Sequence, residues 1–323
     1  MARRGEFDFI RTRLLPLTEG RPDALGLSDD AAVMELDSGR ALVIASDMLV
    51  AGVHFLEDDP PETVAARCLR ANLSDLAAMG AEPDAYLSSI AWPESLPDEW
   101  RDRFIAALEH EQVAFGIALI GGDTTSTPGP LTVSLTLLGK CPANAVLTRG
   151  GASPGEDVWV SGTIGDAGLG LEMARGRLEP DPGLLGRYTH PEPRISLGMA
   201  LRGIASAALD VSDGLIADAG HLAETSDVSV VLDLDRMPVS DRMARWLGRR
   251  GAENELLRLA SSGDDYEILF SAPVEKRPSV QAAAEVIGVP VTRIGTVEAG
   301  PGVVVTRLHD KRIDVKRGGF THF

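Results

Sequence analysis

Apolar and polar positions along the first half of the chain predict strands mixed with helices. Residues 61–79 and 98–115 have the apolar spacing of helices. Shorter apolar runs predict strands at Leu42–Asp47, Tyr86–Ala91 and Leu131–Gly139, with a further strand near Ile117. Helices and strands are therefore mixed throughout this half of the chain.

Residues 148–155 are dense in residues that break helices and strands, and they divide the chain. A fresh set of elements follows: a strand at Val158–Ser161, helices from about Asp166, Arg194 and Gly214, a strand ending at Asp210 and a strand at Val228–Leu232. A chain of 323 residues fits two domains of ordinary size. We expect an N-terminal domain of residues 1–143 and a C-terminal domain of residues 144–323.

The net charge of the chain and its few lysines limit the classes of partner that the protein can bind. A formal net charge of −17 argues against nucleic acid, because binding a phosphate backbone requires a basic surface. Lysine occurs at only four positions, none of them in a glycine-rich loop, which excludes the lysine of a P-loop or a protein kinase. If the substrate carries phosphate, such an acidic protein must recruit cations, and divalent metals would serve.

Neither the membrane nor the secretory pathway is indicated. The longest apolar runs are interrupted before they could cross a bilayer. Glu6 and Asp8 lie where a signal peptide would have its apolar stretch, so we expect a cytoplasmic protein. Cys68 lies in an apolar helical pattern and Cys141 at the end of a predicted strand, and we expect both to be reduced.

Aspartates recur at the ends of the predicted elements. These positions are Asp29 and Asp30, Asp47, Asp123, Asp210 and Asp213, and Asp264 and Asp265. Each one alone is also explained as a helix cap or a turn residue. Together they offer the oxygen ligands that Mg²⁺ prefers, which indicates a multi-metal phosphate site.

Two further features of the sequence bear on such a site. Asp75 lies in an apolar helical pattern, where a buried carboxylate requires a partner: a metal, a nearby arginine or a backbone donor. Gly121 and Gly122 would let the backbone approach a polyphosphate while Asp123 holds a metal. The glycines of residues 161–170 lack the Gly-x-Gly-x-x-Gly spacing, so we attribute them to close strand–helix packing.

Eight segments of the chain resemble, in order and spacing, those of the thiamine-monophosphate kinase family. They are spread along nearly the whole chain: Gly26–Val33, Ser46–Phe55, Asn72–Ala81, Ile120–Thr125, Leu147–Arg149, Asp210–Leu215, Gly263–Glu267 and Gly319–Phe323. The wider superfamily includes aminoimidazole ribonucleotide synthetase and selenophosphate synthetase, which share the acidic segments. The segment around His54 and the C-terminal segment point to the thiamine branch.

The resemblance implies both a reaction and a fold. The γ-phosphoryl group of ATP would pass directly to the phosphate of thiamine monophosphate, with several Mg²⁺ ions, to give thiamine diphosphate. The implied fold is a two-domain combination of α/β and α+β. Its N-terminal mixed α/β domain would have a dimer-forming sheet that pairs with its copy in a homodimer, and its C-terminal domain would be α+β.

The resemblance also implies roles for individual residues. The positions that match the family's magnesium site are Asp30, Ala45, Ser46, Asp47, Asp75, Asp123, Asp210 and Asp213, Ala45 through its backbone carbonyl only. Those that match its ATP contacts are Gly122, Asp123, Arg149 and Ser212, and those that match its substrate contacts are His54, Asp264 and Phe320. The chain departs from the family at Ala45, Ser28 and Asp264, where a hydroxyl residue, glycine and glutamate are common.

Structural explanations of single residues remain open beside these roles. A lone histidine such as His54 is often structural, Arg149 could join an interdomain ion pair, and Phe320 could be ordinary C-terminal packing. Two other functions also remain open. One is a superfamily synthetase with a different acceptor, and the other is an acidic protein that binds metal without catalysis. Gly121, Gly122, Asp123 and Arg149 argue against the second.

Overall fold

A computed structural model describes residues 28–29, 32–36, 39–248, 252–307, 311–313, 315 and 318–320. The predicted metal contact at Asp30 lies outside these residues. Within the described part of the chain, no helix has both the length and the apolar character needed to cross a membrane.

The described residues of the first part of the chain form a five-stranded sheet with two helices. The elements are β1 (Ala32–Leu36), β2 (Arg40–Val50), α1 (Pro61–Ala78), β3 (Glu82–Pro93), α2 (Asp98–Phe115), β4 (Ala118–Thr127) and β5 (Thr132–Pro142). The strand order is β1-β2-β5-β3-β4, and only β3 and β4 are parallel. Alternate residues of β5, such as Val133 and Leu135, are fully buried in a core shared with Leu69 and Phe104 of the helices. The helices therefore cover one face of this sheet.

The second part of the chain forms a seven-stranded sheet with seven α-helices among the described residues. Its strands are β6 (Asp157–Ser161), β7 (Ala207–Asp210), β8 (Ser229–Asp233), β9 (Ile268–Ala272), β10 (Val291–Glu298), β11 (Gly302–Arg307) and β12 (Lys311–Ile313). Its helices are α3 (Asp166–Ala174), α4 (Pro182–Thr189), α5 (Ile195–Ala200), α6 (Leu215–Ser226), α7 (Asp241–Leu247), α8 (Ala252–Ala260) and α9 (Arg277–Ile287). The strand order is β12-β11-β8-β10-β6-β9-β7. The predicted boundary at 143/144 falls between the two sheets.

Helix α1 lies between the two domains, and 15 of its 18 residues are buried. One side packs on the N-terminal sheet, and the other contacts α4, α5 and β7 of the C-terminal domain. Ala77 shares an apolar cluster with Leu197 and Leu201. The approach of α5 is so close that a Cβ atom on Gly198 would lie 1.8 Å from the carbonyl oxygen of Ala77. Glycine at this position therefore permits the contact between the domains.

We expect Gly198→Ala to lower the free energy of unfolding by about 2 to 3 kcal/mol, because an added methyl group cannot fit without separating α1 and α5. Gly186→Ala is the matched control. Gly186 is also helical, but a Cβ atom there would meet no atom within 4 Å. That change should stabilise the protein by about 0.5 to 1 kcal/mol through helix propensity. Thermal or urea unfolding of both variants measures the difference, and equal stabilities would contradict the close packing.

Most of the predicted elements are present, and two differences stand out. Helix α4 was not predicted. Asp123 lies inside β4, and Asp47 lies inside β2, rather than at the end of an element. The glycines of residues 161–170 permit close packing, but the contacts at Gly170 and Gly162 are not the predicted strand–helix contacts: a Cβ atom on Gly170, inside α3, would lie 2.3 Å from the carbonyl oxygen of Leu184 in α4, and one on Gly162 would meet Glu267.

Candidate functional site

A cavity of about 1260 Å³ opens between the two domains, and residues from both domains line it. The structure brings most of the predicted site residues to this cavity. Those among its lining residues are Asp47, His54, Asp75, Arg149, Asp210, Ser212, Asp213, Asp264 and Phe320, together with Asp29.

The N-terminal side of the cavity is formed where β2 meets α1. Asn72 of α1 accepts a hydrogen bond from the backbone N–H of Asp47 at 2.9 Å and donates one to the carbonyl of Cys68 at 2.9 Å. Asp75 follows Asn72 by three residues, so both lie on neighbouring positions of one helix face. Asn72 thus links the backbone of Asp47 to α1, the helix that carries Asp75.

The C-terminal side of the cavity is formed at the end of β7 and the start of α6. Asp210 is the last residue of β7, and Asp213 lies in the turn that follows. Asp218, in the first turn of α6, accepts hydrogen bonds from the backbone N–H groups of Asp213 and Gly214 at 3.2 and 3.0 Å. The turn therefore holds Asp210, Asp213 and Asp218 at one end of the cavity.

Two residues at this end were missed by the sequence analysis. Possible ligand atoms of Asp213, Asp218 and His221 all lie within 4.8 Å of one another. Asp218 and His221 are three residues apart on α6, so helical spacing placed them on one face. That spacing, directly after the segment Asp210–Leu215, was the signal that could have identified them.

The electrostatics of this cluster favour a bound cation. Burial raises the pKa of Asp218 well above its usual range, and the carboxylates of Asp213 and Asp210 raise it further, while Arg149 partly opposes them. Negative charge is therefore concentrated on the side of the cavity that the C-terminal domain forms. Carboxylate oxygens gathered in this way are the donor set that Mg²⁺ prefers, so the described residues fit that ion.

The hydrogen bonds of His54 restrict its chemistry. The backbone N–H of Val50 donates to its Nδ1 at 3.0 Å, so in the neutral ring the proton is on Nε2. In that tautomer the ring can donate a hydrogen bond through Nε2. The contact fits a residue that binds a substrate better than one that removes a proton.

The loop that carries Asp264 has an unusual backbone. Asp264 and Tyr266 have positive φ angles of 72° and 51°. Their backbone N–H groups donate to the carbonyls of Ser212 and Val211 at 2.9 and 2.8 Å. The Tyr266 hydroxyl also donates to a carboxylate oxygen of Asp264 at 3.2 Å. Strained backbone of this kind is held only where surrounding contacts determine it, and such residues concentrate at functional sites.

Residues 318–320, near the C-terminus, approach Asp213 and the start of α6. The N–H of Phe320 donates to the carbonyl of Asp213 at 3.0 Å, and the Phe320 side chain is 42% exposed beside the cavity. A Cβ atom on Gly319 would lie 2.5 Å from that of Ala217, so this segment lies directly on α6. The aromatic ring therefore forms part of the cavity lining.

Four predicted residues do not line the cavity of this chain. Gly122 and Asp123 are exposed on β4, the edge strand of the N-terminal sheet. Ser46 is exposed on β2, with its hydroxyl 2.9 Å from that of Thr136, while the Ala45 side chain is buried in the core. Their predicted contacts with ATP and metal stay predictions.

Two family models match the chain: the N-terminal domain of AIR synthase related proteins at residues 28–141, and the C-terminal domain at residues 153–307. The chain is also 45% identical to thiamine-monophosphate kinase of Caulobacter vibrioides, over 92% of this chain and 85% of that protein. It belongs to the thiamine-monophosphate kinase family of AIR synthase related proteins. The family resemblance seen in the sequence is therefore confirmed.

Other members of the thiamine-monophosphate kinase family match along almost their whole length. The Escherichia coli K12 enzyme is 38% identical over 99% of this chain and 98% of its own. The solved structure "AaThiL complexed with AMPPCP and TMP" has a TM-score of 0.85 and 31% identity, and the match covers 100% of this chain and 99% of that one. The predicted combination of α/β and α+β domains is thereby confirmed.

Proposed function

We propose that this chain transfers the γ-phosphoryl group of ATP to thiamine monophosphate, giving thiamine diphosphate and ADP. The observation that carries the proposal is the interdomain cavity, where aspartates from both domains meet His54, Arg149 and Phe320. Relatives that match the whole chain bear the name of this kinase, and a solved relative is described with AMPPCP, an ATP analogue, and TMP.

We propose Mg²⁺ as the cofactor of this reaction. The residues that would hold it are Asp47, Asp75, Asp210 and Asp213, with Asp218 and His221 beside them. When bound, Mg²⁺ supplies the positive charge that an acidic cavity needs in order to accept two phosphate compounds. Among the described residues, eight carboxylates line the cavity against three arginines, Arg149, Arg175 and Arg258, and this excess of negative charge supports the proposal of a divalent cation.

The remaining residues divide between the two substrates. Arg149 and Ser212 are proposed ATP contacts, and Arg149 is fixed at the domain junction because its backbone N–H donates to Asp29 at 2.8 Å. His54, Asp264 and Phe320 are proposed contacts of the acceptor. The acceptor's phosphate is already ionised at neutral pH, so its oxygen can attack without a strong general base. Catalysis then depends mainly on orientation and charge neutralisation.

The test is product identification after incubation with ATP, Mg²⁺ and thiamine monophosphate. Formation of thiamine diphosphate and ADP in equal amounts supports the proposal. ADP without thiamine diphosphate would instead indicate a superfamily enzyme with another acceptor.

We also propose that the chain forms a homodimer through its N-terminal sheet. Edge strand β4 is exposed over almost its whole length, including Leu119 (51%) and Ile120 (61%). Exposed apolar side chains on an unprotected edge favour association. A partner on this face would also cover Gly122 and Asp123, which the cavity of a single chain does not use.

Ile120→Asp should convert the dimer to a monomer, because it places a charge in the proposed apolar contact. Val286→Asp is the control, since Val286 is 84% exposed on α9 of the other domain. Sedimentation velocity of the unmodified protein should give twice the mass of the chain. A monomeric unmodified protein, or dissociation by both changes alike, would contradict this interface.

A further inference from the structure

We infer that Arg67 is a positioning residue, which fixes His54 and Asp264 relative to each other and so shapes the acceptor side of the cavity. The inference deepens the proposed function and rests on it. Arg67 lies on α1, in the N-terminal domain, and its side chain is almost completely buried. It was not among the residues that the sequence indicated.

A single guanidinium group joins three segments of the chain. Nη2 of Arg67 donates to the carbonyl of His54 at 2.8 Å and to a carboxylate oxygen of Asp264 at 3.0 Å. Nη1 donates to the carbonyl of Tyr188 at 2.6 Å. His54 belongs to the N-terminal domain, whereas Asp264 and Tyr188 belong to the C-terminal domain. Two proposed acceptor contacts from different domains therefore share one nitrogen atom.

The aromatic ring of Tyr188 packs against the guanidinium group of Arg67. Its ring centroid lies 4.3 Å from the guanidinium carbon of Arg67, a cation–π contact. The Tyr188 hydroxyl donates to Asp59 at 2.6 Å, and the same carboxylate oxygen accepts from the backbone N–H of Leu56 at 2.9 Å. The segment from His54 to Asp59 is therefore attached to α4 at both ends, through Arg67 and through Tyr188.

The contact with Asp264 has a further consequence because that loop is strained. Asp264 has a positive φ angle, and its two carboxylate oxygens are held by Arg67 on one side and Tyr266 on the other. Burial alone would lower the pKa of Arg67, but the carboxylate of Asp264 keeps it above its usual range. The arginine thus stays charged and holds the Asp264 side chain in one orientation.

Lysine cannot reproduce this arrangement. Its ammonium group is a single point of charge, whereas the planar guanidinium presents donors in several fixed directions. Arg67→Lys keeps the positive charge beside Asp264 but cannot reach all three acceptors at once. It should loosen His54 and Asp264 without removing either one.

The experiment compares Arg67→Lys with Arg70→Lys. Arg70 lies on the same helix, pairs with Glu111 and donates to the carbonyl of Pro191 in the other domain at 3.1 Å. In Arg67→Lys we expect the KM for thiamine monophosphate to rise about tenfold, as the loss of one charge-assisted hydrogen bond would give, with the KM for ATP changed less than about twofold. Arg70→Lys should leave both constants near those of the unmodified enzyme.

Equal rises in both KM values, or no rise in either with normal folding, would overturn the inference, because a merely structural arginine affects both substrates alike. If Arg67→Lys does not fold, Tyr266→Phe replaces it. That variant frees the other oxygen of Asp264 and must raise the KM for thiamine monophosphate selectively, and an unchanged KM overturns the inference. Calorimetric binding of thiamine monophosphate without ATP shows the same selective loss even if the protein makes no thiamine diphosphate, so failure of the proposed function is recognised separately.

Discussion

Free thiamine should be phosphorylated at least about 1,000-fold less efficiently than thiamine monophosphate, expressed as kcat/KM. The two acceptors differ only in a phosphate group. That phosphate is the charged group through which the acidic cavity, with its proposed Mg²⁺, would orient the acceptor. Without it, the hydroxyl of thiamine has nothing to bring it into line with the γ-phosphorus of ATP.

The chemical step adds to this discrimination. A phosphate oxygen attacks as an anion, whereas a hydroxyl must lose its proton to a general base. Among the described residues, the histidines that line the cavity are His54 and His221. His54 uses Nδ1 to accept from Val50, and His221 lies with the oxygens of Asp213 and Asp218. We assign neither as a base, so the loss should appear in kcat as well as in KM.

Parallel assays of the two acceptors at saturating ATP and Mg²⁺ measure the ratio. A reaction without acceptor gives the rate of background ATP hydrolysis, which is subtracted from both. Comparable efficiencies for thiamine and its monophosphate would show that the acceptor phosphate is not what orients the reaction.

Asp75→Asn should lower kcat by about 100-fold or more while leaving the melting temperature within a few degrees. Asparagine keeps the shape of the side chain but removes the negative charge, so packing on α1 is preserved. Asp75 is partly buried and lines the cavity near Asp47. Loss of its charge should weaken the hold on Mg²⁺, and raising the Mg²⁺ concentration should restore part of the activity.

Glu62→Gln is the matched control for Asp75→Asn. Glu62 lies in the first turn of the same helix and pairs with the exposed Arg103, away from the cavity. Its loss of charge should leave kcat unchanged at every Mg²⁺ concentration. Near-normal activity of Asp75→Asn at limiting Mg²⁺ would mean that Asp75 is a structural acid, and the metal role proposed for it would be wrong.

The aspartates at predicted element ends indicated the cavity well, because an acid at the end of a strand is placed by local geometry. Asp210, the last residue of β7, is a clear example, whereas Asp47 lies inside β2, which extends to Val50, and still lines the cavity. Asp123 differs because sequence spacing could not tell a phosphate-binding turn from an edge strand, and the structure has the strand. Helix α4 was not predicted, although Pro182 in its first turn and Asp181 as its cap are residues typical of a helix start.

Contacts between distant segments were beyond what the sequence could predict. Arg67 lies 197 positions from Asp264 and 121 from Tyr188 along the chain. Its apolar surroundings on α1 gave no sign that it would join the two domains. The resemblance to a family identified residues within the eight matching segments, whereas Arg67 lies five positions before the segment that begins at Asn72. Long-range packing decides the partners of such a residue.

The burial of α1 also determines how the molecule unfolds. The helix supplies apolar residues to the N-terminal core and, through Ala77, to the cluster around Leu197 and Leu201 in the other domain. Neither domain can unfold without exposing apolar surface that is buried against the other domain. The free energy of unfolding is therefore shared by both domains. We therefore expect a chain that divides into two domains by sequence to melt as one cooperative unit.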